Sequence, residues 1–401
     1  MRPNQRFALS NALAIRLAAT LLFCLATIAE AVPYIPASGS QVIEHLPSRS
    51  DPVQQQFKRL RLQLAANPHD LALATGLAQR YIEQARNEGD PRYLGYAQAA
   101  LSPWWGQTEP PVKVRLLRAT LLQSTHQFHQ ALEDLNAVLK IERDNAQAWL
   151  TRATVLMVRG DYAQAKNSCE HLYPLAPALI TQTCLTNIAS LNGDAAPAYA
   201  QLLAVFKKHP EAEPDIQLWV LTLLAEMAAR NGDSAAADSH FRAALAFDNA
   251  DSYLLGAYAD FLLDQQRPAE VVALLKSKPR VDALLLRYAL ALKATKSPEA
   301  AQQSDALRAR FDAAVLRGDT VHQREQARFA LQLQNDPKNA LILAQRNWAV
   351  QKEPADVRIL LEAAAAAKDT QAAQPLLAWL KQSRLQDQTL QPSLLALGAG
   401  K

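Results

Sequence analysis

Apolar and small side chains recur along the chain at the spacing of helix faces, and the same arrangement returns at a fixed interval. Phe128 and Tyr162 lie 34 residues apart, and the small residues Ala131 and Ala165 keep the same offset. A period of this length is typical of arrays in which each unit is a pair of amphipathic helices joined by a tight turn. In one of the clearer units the pattern predicts a first helix over 112–124 and a second over about 130–141.

The units can be followed along the chain by their turns. Their starts fall at residues 112, 146, 180, 218, 252, 321 and 355. The step from 252 to 321 is close to two periods, so we expect a further, atypical unit between Arg280 and Asp319. A weaker match covers 70–101, and the segment 102–111 interrupts the period. Its Trp104 and Trp105 are expected to pack against the end of the array, with an exposed binding loop as the alternative.

One unit carries residues that resemble the tetratricopeptide repeat (TPR) family. In the unit from Ala146, the positions of that family's pattern correspond to Trp149, Ala153, Gly160-Asp161-Tyr162, Ala165 and Pro177. The resemblance implies an all-α fold, an α-α superhelix in which stacked helix-turn-helix units form a solenoid with first helices on the concave side. Because each unit of such a solenoid contacts only its neighbours, we expect Ala165→Leu to disturb adjoining units and to leave 321–388 unchanged.

Composition and charge narrow the classes of function. The chain has 12 glycines in 401 residues, which disfavours a large β-sandwich or barrel with many tight turns. Its formal charge of +4 is too balanced for a nucleic-acid binder. The sequence contains no phosphate-binding glycine loop, nucleophile elbow, His-Glu-x-x-His or Cys-x-x-Cys motif. We therefore expect no catalytic site, no cofactor and no nucleic-acid partner.

The first 31 residues have the pattern of a secretory signal. Arginines precede an apolar run from Leu17 to Ala29, and Ala29-Glu30-Ala31 places small residues where a signal peptidase reads them. An uncleaved anchor is the alternative, although the run is shorter than the ~20 residues of a spanning helix. We expect an exported protein, periplasmic or secreted after cleavage near Ala31, with no membrane span in the mature chain.

The predicted organisation follows from these patterns. It comprises a signal peptide over 1–31, a linker or extended arm over 32–53, a helical cap region over 54–111, the repeat array over 112–388 and a tail over 389–401.

Two of the three cysteines, Cys169 and Cys184, lie in the predicted mature chain. They flank the turn Pro174-Leu175-Ala176-Pro177 at similar distances, so antiparallel neighbouring helices would bring them to the same height. In an exported protein such a pair favours a disulfide. Two buried free thiols are the alternative.

Two short patterns that resemble functional motifs have simpler structural explanations. His126 and His129 are three residues apart but straddle a predicted turn and lack a nearby third ligand, so we expect solvated histidines and no metal site. Arg317-Gly318-Asp319 matches an adhesion tripeptide by its letters alone. We interpret it as a helix stop followed by a cap for the helix that begins near Val321.

The TPR resemblance also implies which residues face a partner. In that family, defined positions of each first helix line the concave groove, and mapping them onto this chain gives Lys113, Thr120, Gln123, Gln147, Thr154, Thr222, Glu226, Arg230, Tyr253, Asp260, Asp264, His322, Glu325 and Gln332. This lining is polar and mixed in sign. It contains no cluster of lysines and arginines of the kind that binds a C-terminal carboxylate.

These patterns together predict an exported, non-enzymatic scaffold that binds a protein or peptide partner in the cell envelope and assists assembly or trafficking. The alternative is a helical carrier or enzyme that acts on a small ligand or a cell-wall glycan. Glycan cleavage needs two carboxylates across a cleft, and Glu226 with Asp260 is the pair that the groove positions offer.

Overall fold

The computed structural model describes residues 51–247 and 250–399, and within these ranges every regular element is a helix. The α-helices are α1 Pro52–Ala66, α2 Leu71–Glu88, α3 Arg92–Ala100, α4 Ser102–Trp105, α5 Val112–Ser124, α6 Phe128–Ile141, α7 Ala146–Val158, α8 Tyr162–Glu170, α9 Ala178–Leu191, α10 Ala195–Phe206, α11 Pro214–Arg230, α12 Ser234–Leu245, α13 Ser252–Asp264, α14 Pro268–Leu275, α15 Asp282–Ala294, α16 Ala300–Leu316, α17 Gln323–Gln332, α18 Pro337–Val350, α19 Pro354–Ala367, α20 Gln374–Ser383 and α21 Gln391–Ala396. A 3₁₀ turn over Gln388–Leu390 precedes α21.

Most of these helices pack in consecutive pairs. We number the pairs in the described residues as hairpins: 1 (α2–α3), 2 (α5–α6), 3 (α7–α8), 4 (α9–α10), 5 (α11–α12), 6 (α13–α14), 7 (α15–α16) and 8 (α17–α18). Hairpin 9 is α19–α20, whose buried apolar side chains share one hydrophobic cluster. The predicted all-α array of helix pairs is confirmed. Hairpin 7 is the atypical unit expected between residues 280 and 319, and hairpin 1 corresponds to the weaker match over 70–101.

The predicted boundaries of the chain's segments meet the described residues only in part. The predicted signal peptide and all but the last residues of the predicted linker lie outside the described ranges. Helix α1 begins at Pro52, inside the end of that linker, and the predicted tail contains α21. In the described part of the chain, no helix is both long and apolar enough to cross a membrane.

Local sequence explains where the helices begin and end. Asp70, Asn145 and Asp251 each accept a hydrogen bond from the backbone N–H three residues later at 2.9 Å, which satisfies a donor that the first helical turn leaves free. The turn inside hairpin 3 has Gly160 in the left-handed region at φ 79°. His126 occupies the matching position of hairpin 2 at φ 59°, where a residue with a Cβ is strained.

The small residues of the repeat lie where helices cross. Ala119, Ala131 and Ala165 are completely buried, and Phe128 and Tyr162 fill the spaces beside them. Close packing of this kind transmits the position of one hairpin to the next. At the N-terminal end, Trp104 is buried in the same cluster as Tyr81, so the tryptophan segment packs as expected.

The array curls until its late hairpins contact its early ones. The backbone N–H of Lys352 donates to the carbonyl of Val158 at 2.7 Å, which joins the start of hairpin 9 to hairpin 3. Trp379 of hairpin 9 contacts Tyr162, with 6.2 Å between the ring centroids. The expectation of an array in which units contact only their neighbours is therefore corrected. Damage from Ala165→Leu in hairpin 3 should also reach hairpin 9.

Candidate functional site

The inner faces of hairpins 5 to 9 enclose a space of about 200 Å³, which we call the central cavity. Its walls come mainly from α11, α13, α15, α17 and α19, the first helix of each hairpin, and from the segment after α20. The charged side chains that line it are Arg230, Arg287, Arg324, Arg328, Arg358, Glu226, Asp260, Asp264, Glu325, Glu362 and Asp387. Charge is thus concentrated on the concave side of this half of the array.

Asp260 is held between two guanidinium groups. Its Oδ2 accepts from Arg287 of hairpin 7 at 2.5 Å, and its Oδ1 accepts from Arg328 of hairpin 8. Burial alone would raise the pKa of Asp260, but Arg287 and Arg328 outweigh it and lower the pKa to about 2. The carboxylate therefore stays ionised at neutral pH and links three hairpins.

A second set of charges ties hairpin 6 to hairpin 9. Arg358 donates from both terminal nitrogens to the two oxygens of Asp264, at 2.6 and 2.7 Å, and its Nε donates to Glu362 at 2.7 Å. Such a two-point pair fixes orientation as well as distance. Gln332 joins the sets, because it accepts from Arg328 and donates to Glu362. Polar contacts, most of them between charged groups, thus connect hairpins 6 to 9.

Arg324 is the centre of a third group at the junction of hairpins 8 and 9. Its Nη1 lies 2.9 Å from Glu353 and 3.3 Å from Asp356, and its Nε lies 3.3 Å from Glu325. Asp356 is fully buried and also accepts hydrogen bonds from Asn347 and Gln351. Burial raises the pKa of Asp356 to about 6, while Arg324 acts in the opposite direction.

Glu226 and Arg230 form the part of the cavity nearest hairpin 5. Tyr253 donates to Glu226 at 2.8 Å, and burial raises the pKa of this glutamate against the opposing effect of Arg230. Arg230 donates from Nη2 to Ser190 at 3.1 Å. The Nε of Arg230 is buried and has no hydrogen-bond partner. An unpaired buried donor is costly, so this nitrogen favours an acceptor supplied from outside the chain.

The structure gathers half of the predicted groove residues and leaves the others apart. Glu226, Arg230, Asp260, Asp264 and Glu325 line the central cavity, and Tyr253 and Gln332 join it through hydrogen bonds. The predicted residues outside the lining are Lys113, Thr120, Gln123, Gln147, Thr154, Thr222 and His322. The three threonine hydroxyls among them bond carbonyls of their own helices. The predicted residues that line the central cavity thus come from hairpins 5, 6 and 8.

Five arginines line the central cavity, and Arg230 is the one among them that the mapped groove positions include. Arg287 was missed because hairpin 7 has no clear repeat register, so its inward positions could not be mapped. Arg324, Arg328 and Arg358 lie on the first helices of hairpins 8 and 9. The four-residue spacing of Arg324 and Arg328 places both on one helix face, which is the signal that could have revealed them.

The other candidate residues have separate places in the fold. Cys169 and Cys184 are joined by a disulfide, with 5.7 Å between their Cα atoms. His126 is largely enclosed whereas His129 is exposed beside Glu133, and no cluster of three potential metal ligands occurs in the described residues. Gly318 follows the end of α16 with φ 70°, as interpreted from the sequence. Asp319 accepts from the N–H of Val321 at 2.9 Å, but α17 begins at Gln323 with His322 at its N-cap, so the interpretation of a cap for a helix beginning near Val321 is corrected.

No protein-family model and no curated protein matches this chain. Similar solved structures include the APC/C hetero-tetramer Cut9-Hcn1, which is 12% identical with a TM-score of 0.43 over 79% of this chain and 60% of that chain. A monomeric IFIT1 mutant with Gppp-AAAA is 14% identical, with a TM-score of 0.40 over 87% of this chain and 86% of that one. A tetratricopeptide repeat protein from Parabacteroides merdae is 12% identical, with a TM-score of 0.30 over 71% of this chain and 98% of that one.

All three TM-scores are below 0.5, so the fold rests on the helix pairs of this chain. The described residues form an all-α superhelix of stacked helical hairpins. More particularly, the fold is TPR-like, since hairpins 2 and 3 repeat with matching small residues, aromatics and left-handed turns. The chain spans about 60% of the length of the Cut9-Hcn1 chain that it matches.

Proposed function

We propose that this protein is an exported, non-enzymatic scaffold that binds a protein or peptide partner in the cell envelope and serves assembly or trafficking of other components. The observation that supports the proposal most is the lining of the central cavity, where charged side chains from five hairpins converge. Their ion pairs hold these groups in place before a partner arrives. Preorganised charges lose little conformational freedom on binding, which favours recognition of a polar segment.

The size of the central cavity limits what it receives. A space of about 200 Å³ accommodates a side chain or a small polar molecule with water, and not a folded domain. We propose that a partner inserts a polar or acidic side chain here. Arg230 is the donor best placed to bind it, because its Nε is buried without a partner.

Export is supported by the signal pattern over 1–31 and by the pairing of Cys169 with Cys184. A disulfide of this kind persists in oxidising compartments such as the periplasm or the extracellular space. We therefore place the mature protein there, with neither a cofactor nor a nucleic-acid partner in the proposed function.

The enzymatic alternative fits the site less well. Glu226 and Asp260 both line the central cavity, and the pKa of Glu226 is raised by burial while that of Asp260 is lowered to about 2. Opposite shifts of this sort suit an acid and a nucleophile. Both oxygens of Asp260 are bonded to arginines, however, and these two cations neutralise the charge that a nucleophilic carboxylate would supply.

Affinity capture from an envelope extract tests the scaffold proposal. We expect wild-type protein to recover a partner and Arg230→Gln to lose at least about ten-fold of it, because a charged hydrogen bond contributes roughly 1.5–3 kcal/mol. Arg308→Gln is the matched control, since Arg308 is a half-exposed arginine on α16 outside the central cavity. Equal recovery with Arg230→Gln and wild type would contradict the proposed role of the cavity.

A further inference from the structure

The segment after α20 crosses hairpins that are far away in sequence. We call residues 384–390 the C-terminal strap. Gln386 Oε1 accepts from the backbone N–H of Ala195, at the start of α10, at 3.1 Å. Arg384 reaches the carbonyl of Asn192 at 3.5 Å, at the end of α9. The strap therefore supplies partners to helix ends of hairpin 4 that have no side-chain cap of their own.

A row of glycines receives this end of the chain. Gly160, Gly193 and Gly232 form the left-handed turns of hairpins 3, 4 and 5. A Cβ on Gly193 would come within 3.0 Å of Arg384, and one on Gly232 would lie 2.2 Å from Gln388. Trp379, just before the strap, lies in the same way against Gly160. The turns of hairpins 3, 4 and 5 are thus covered in order by Trp379, Arg384 and Gln388. Each glycine has no Cβ and therefore leaves room for one of these side chains.

The strap also forms part of the wall of the central cavity. Asp387 and Thr389 line it beside Glu226 and Arg230. Asp387 accepts from the N–H and the hydroxyl of Thr389, at 2.8 and 2.7 Å, which fixes its carboxylate on the inner side. Movement of the strap would therefore open the wall next to the Arg230 nitrogen that has no partner.

The attachment of the strap is largely polar, with half-buried Leu385 and buried Leu390 as its apolar contacts. Arg384, Gln386 and Gln388 are exposed residues, and each contacts a turn mainly through polar atoms. Leu390 is buried and holds the far end of the strap in the core of hairpins 8 and 9. Segments with few buried apolar contacts open at lower free energy than the packed elements around them.

We propose that the C-terminal strap is a displaceable latch that closes the central cavity, so that a partner gains access to Arg230 when residues 384–390 leave the glycine turns of hairpins 4 and 5. This proposal rests on the proposed function, because the latch regulates entry to the same central cavity. In the closed state the chain's own Asp387 occupies the wall that a partner's acidic side chain would approach. A partner segment then competes with the strap.

Thiol labelling of a reporter in the cavity tests the latch without any partner. Ala257 lines the central cavity, and Cys169 and Cys184 are bonded to each other, so Ala257→Cys in the mature chain provides one reactive thiol. We expect Arg384→Ala/Gln386→Ala/Gln388→Ala to raise its labelling rate by a negatively charged methanethiosulfonate about ten-fold or more. Lys381→Ala/Gln382→Ala, which alters two exposed residues at the end of α20, should leave the rate unchanged.

Hydrogen exchange of the unaltered protein provides a measurement that does not depend on a variant's folding. The latch predicts that 384–390 exchanges sooner than 214–230 and 354–367. Exchange of the strap together with those helices, or equal labelling rates in strap variant and control, would overturn the latch. The capture experiment stays separate: fast labelling with no Arg230-dependent partner leaves the latch standing and rejects the proposed function.

Discussion

Asp356→Ala is expected to lower the free energy of unfolding by about 3–5 kcal/mol. Asp356 is fully buried and receives Arg324, Asn347 and Gln351, and its Oδ2 accepts from the backbone N–H of Glu353 at 2.8 Å. Alanine would leave the Asn347 amide and the backbone N–H of Glu353 without this acceptor at the junction of hairpins 8 and 9, and Arg324 would lose one of its three carboxylate partners. It would also remove one half of the capping box that begins α19. Chemical denaturation at pH 7 measures the loss.

Asp305→Ala is the matched control, because Asp305 is an exposed carboxylate in a surface ion pair with Arg308, which contributes little.

The pKa of Asp356, raised to about 6, adds a dependence on pH. An acid with a raised folded-state pKa contributes stability below its unfolded value, and that contribution is lost as the pH rises through about 6. The difference in the free energy of unfolding between wild type and Asp356→Ala should therefore be larger at pH 5 than at pH 7. If Asp356→Ala lowers the free energy of unfolding no more than Asp305→Ala does, the proposed stabilising role of the hydrogen bonds around Asp356 is contradicted.

Removal of the disulfide should cost about 3 kcal/mol, the chain-entropy value for a loop of this length. The bridge joins α8 to α9 across a sequence separation of 15 residues, and both cysteines are buried. Cys169→Ala/Cys184→Ala should lower the denaturation midpoint of the oxidised protein. Reduced wild type is the control. Reduction breaks the covalent link but keeps both sulfur atoms, so comparing it with the double variant separates the loss of the link from the loss of cysteine packing.

The intact mass of the protein purified from its own host tests both the bridge and export. We expect a chain that begins at Val32 and lacks the two hydrogen atoms of a reduced pair. Two free thiols in envelope-derived material would contradict the disulfide. A chain that retains Met1 in the cytosol would contradict export.

The sequence predicted the hairpins well because their determinants are local. The turn at Gly160, the cap at Asn145 and the small Ala165 each act within one unit or between neighbours. Helix α5 was predicted with the bounds that the structure shows, Val112–Ser124. The repeat period also indicated hairpin 7, because the step from residue 252 to residue 321 is close to two periods and leaves room for one more unit.

Closure of the superhelix could not be predicted in the same way. Contacts such as Lys352 with Val158 depend on the small rotation of every hairpin relative to the one before it, summed over the array. The residues that meet in the central cavity could not be paired from the sequence for the same reason. Asp260 and Asp264 were predicted as inward residues, but their partners Arg328 and Arg358 lie 68 and 94 residues further along the chain. Repeat patterns contain no information on such pairs.

The most direct test of the closed superhelix is hydrogen exchange, read by mass spectrometry, on Trp379→Ala with Lys381→Ala as the control. Trp379 of hairpin 9 lies against Tyr162 and Gly160 of hairpin 3. The closed superhelix predicts faster exchange in 146–170 as well as in 354–383, while Lys381→Ala, which alters an exposed residue of the same helix, changes neither. Faster exchange confined to 323–399, with 146–170 as protected as in wild type, would show an open array and contradict the closed cavity.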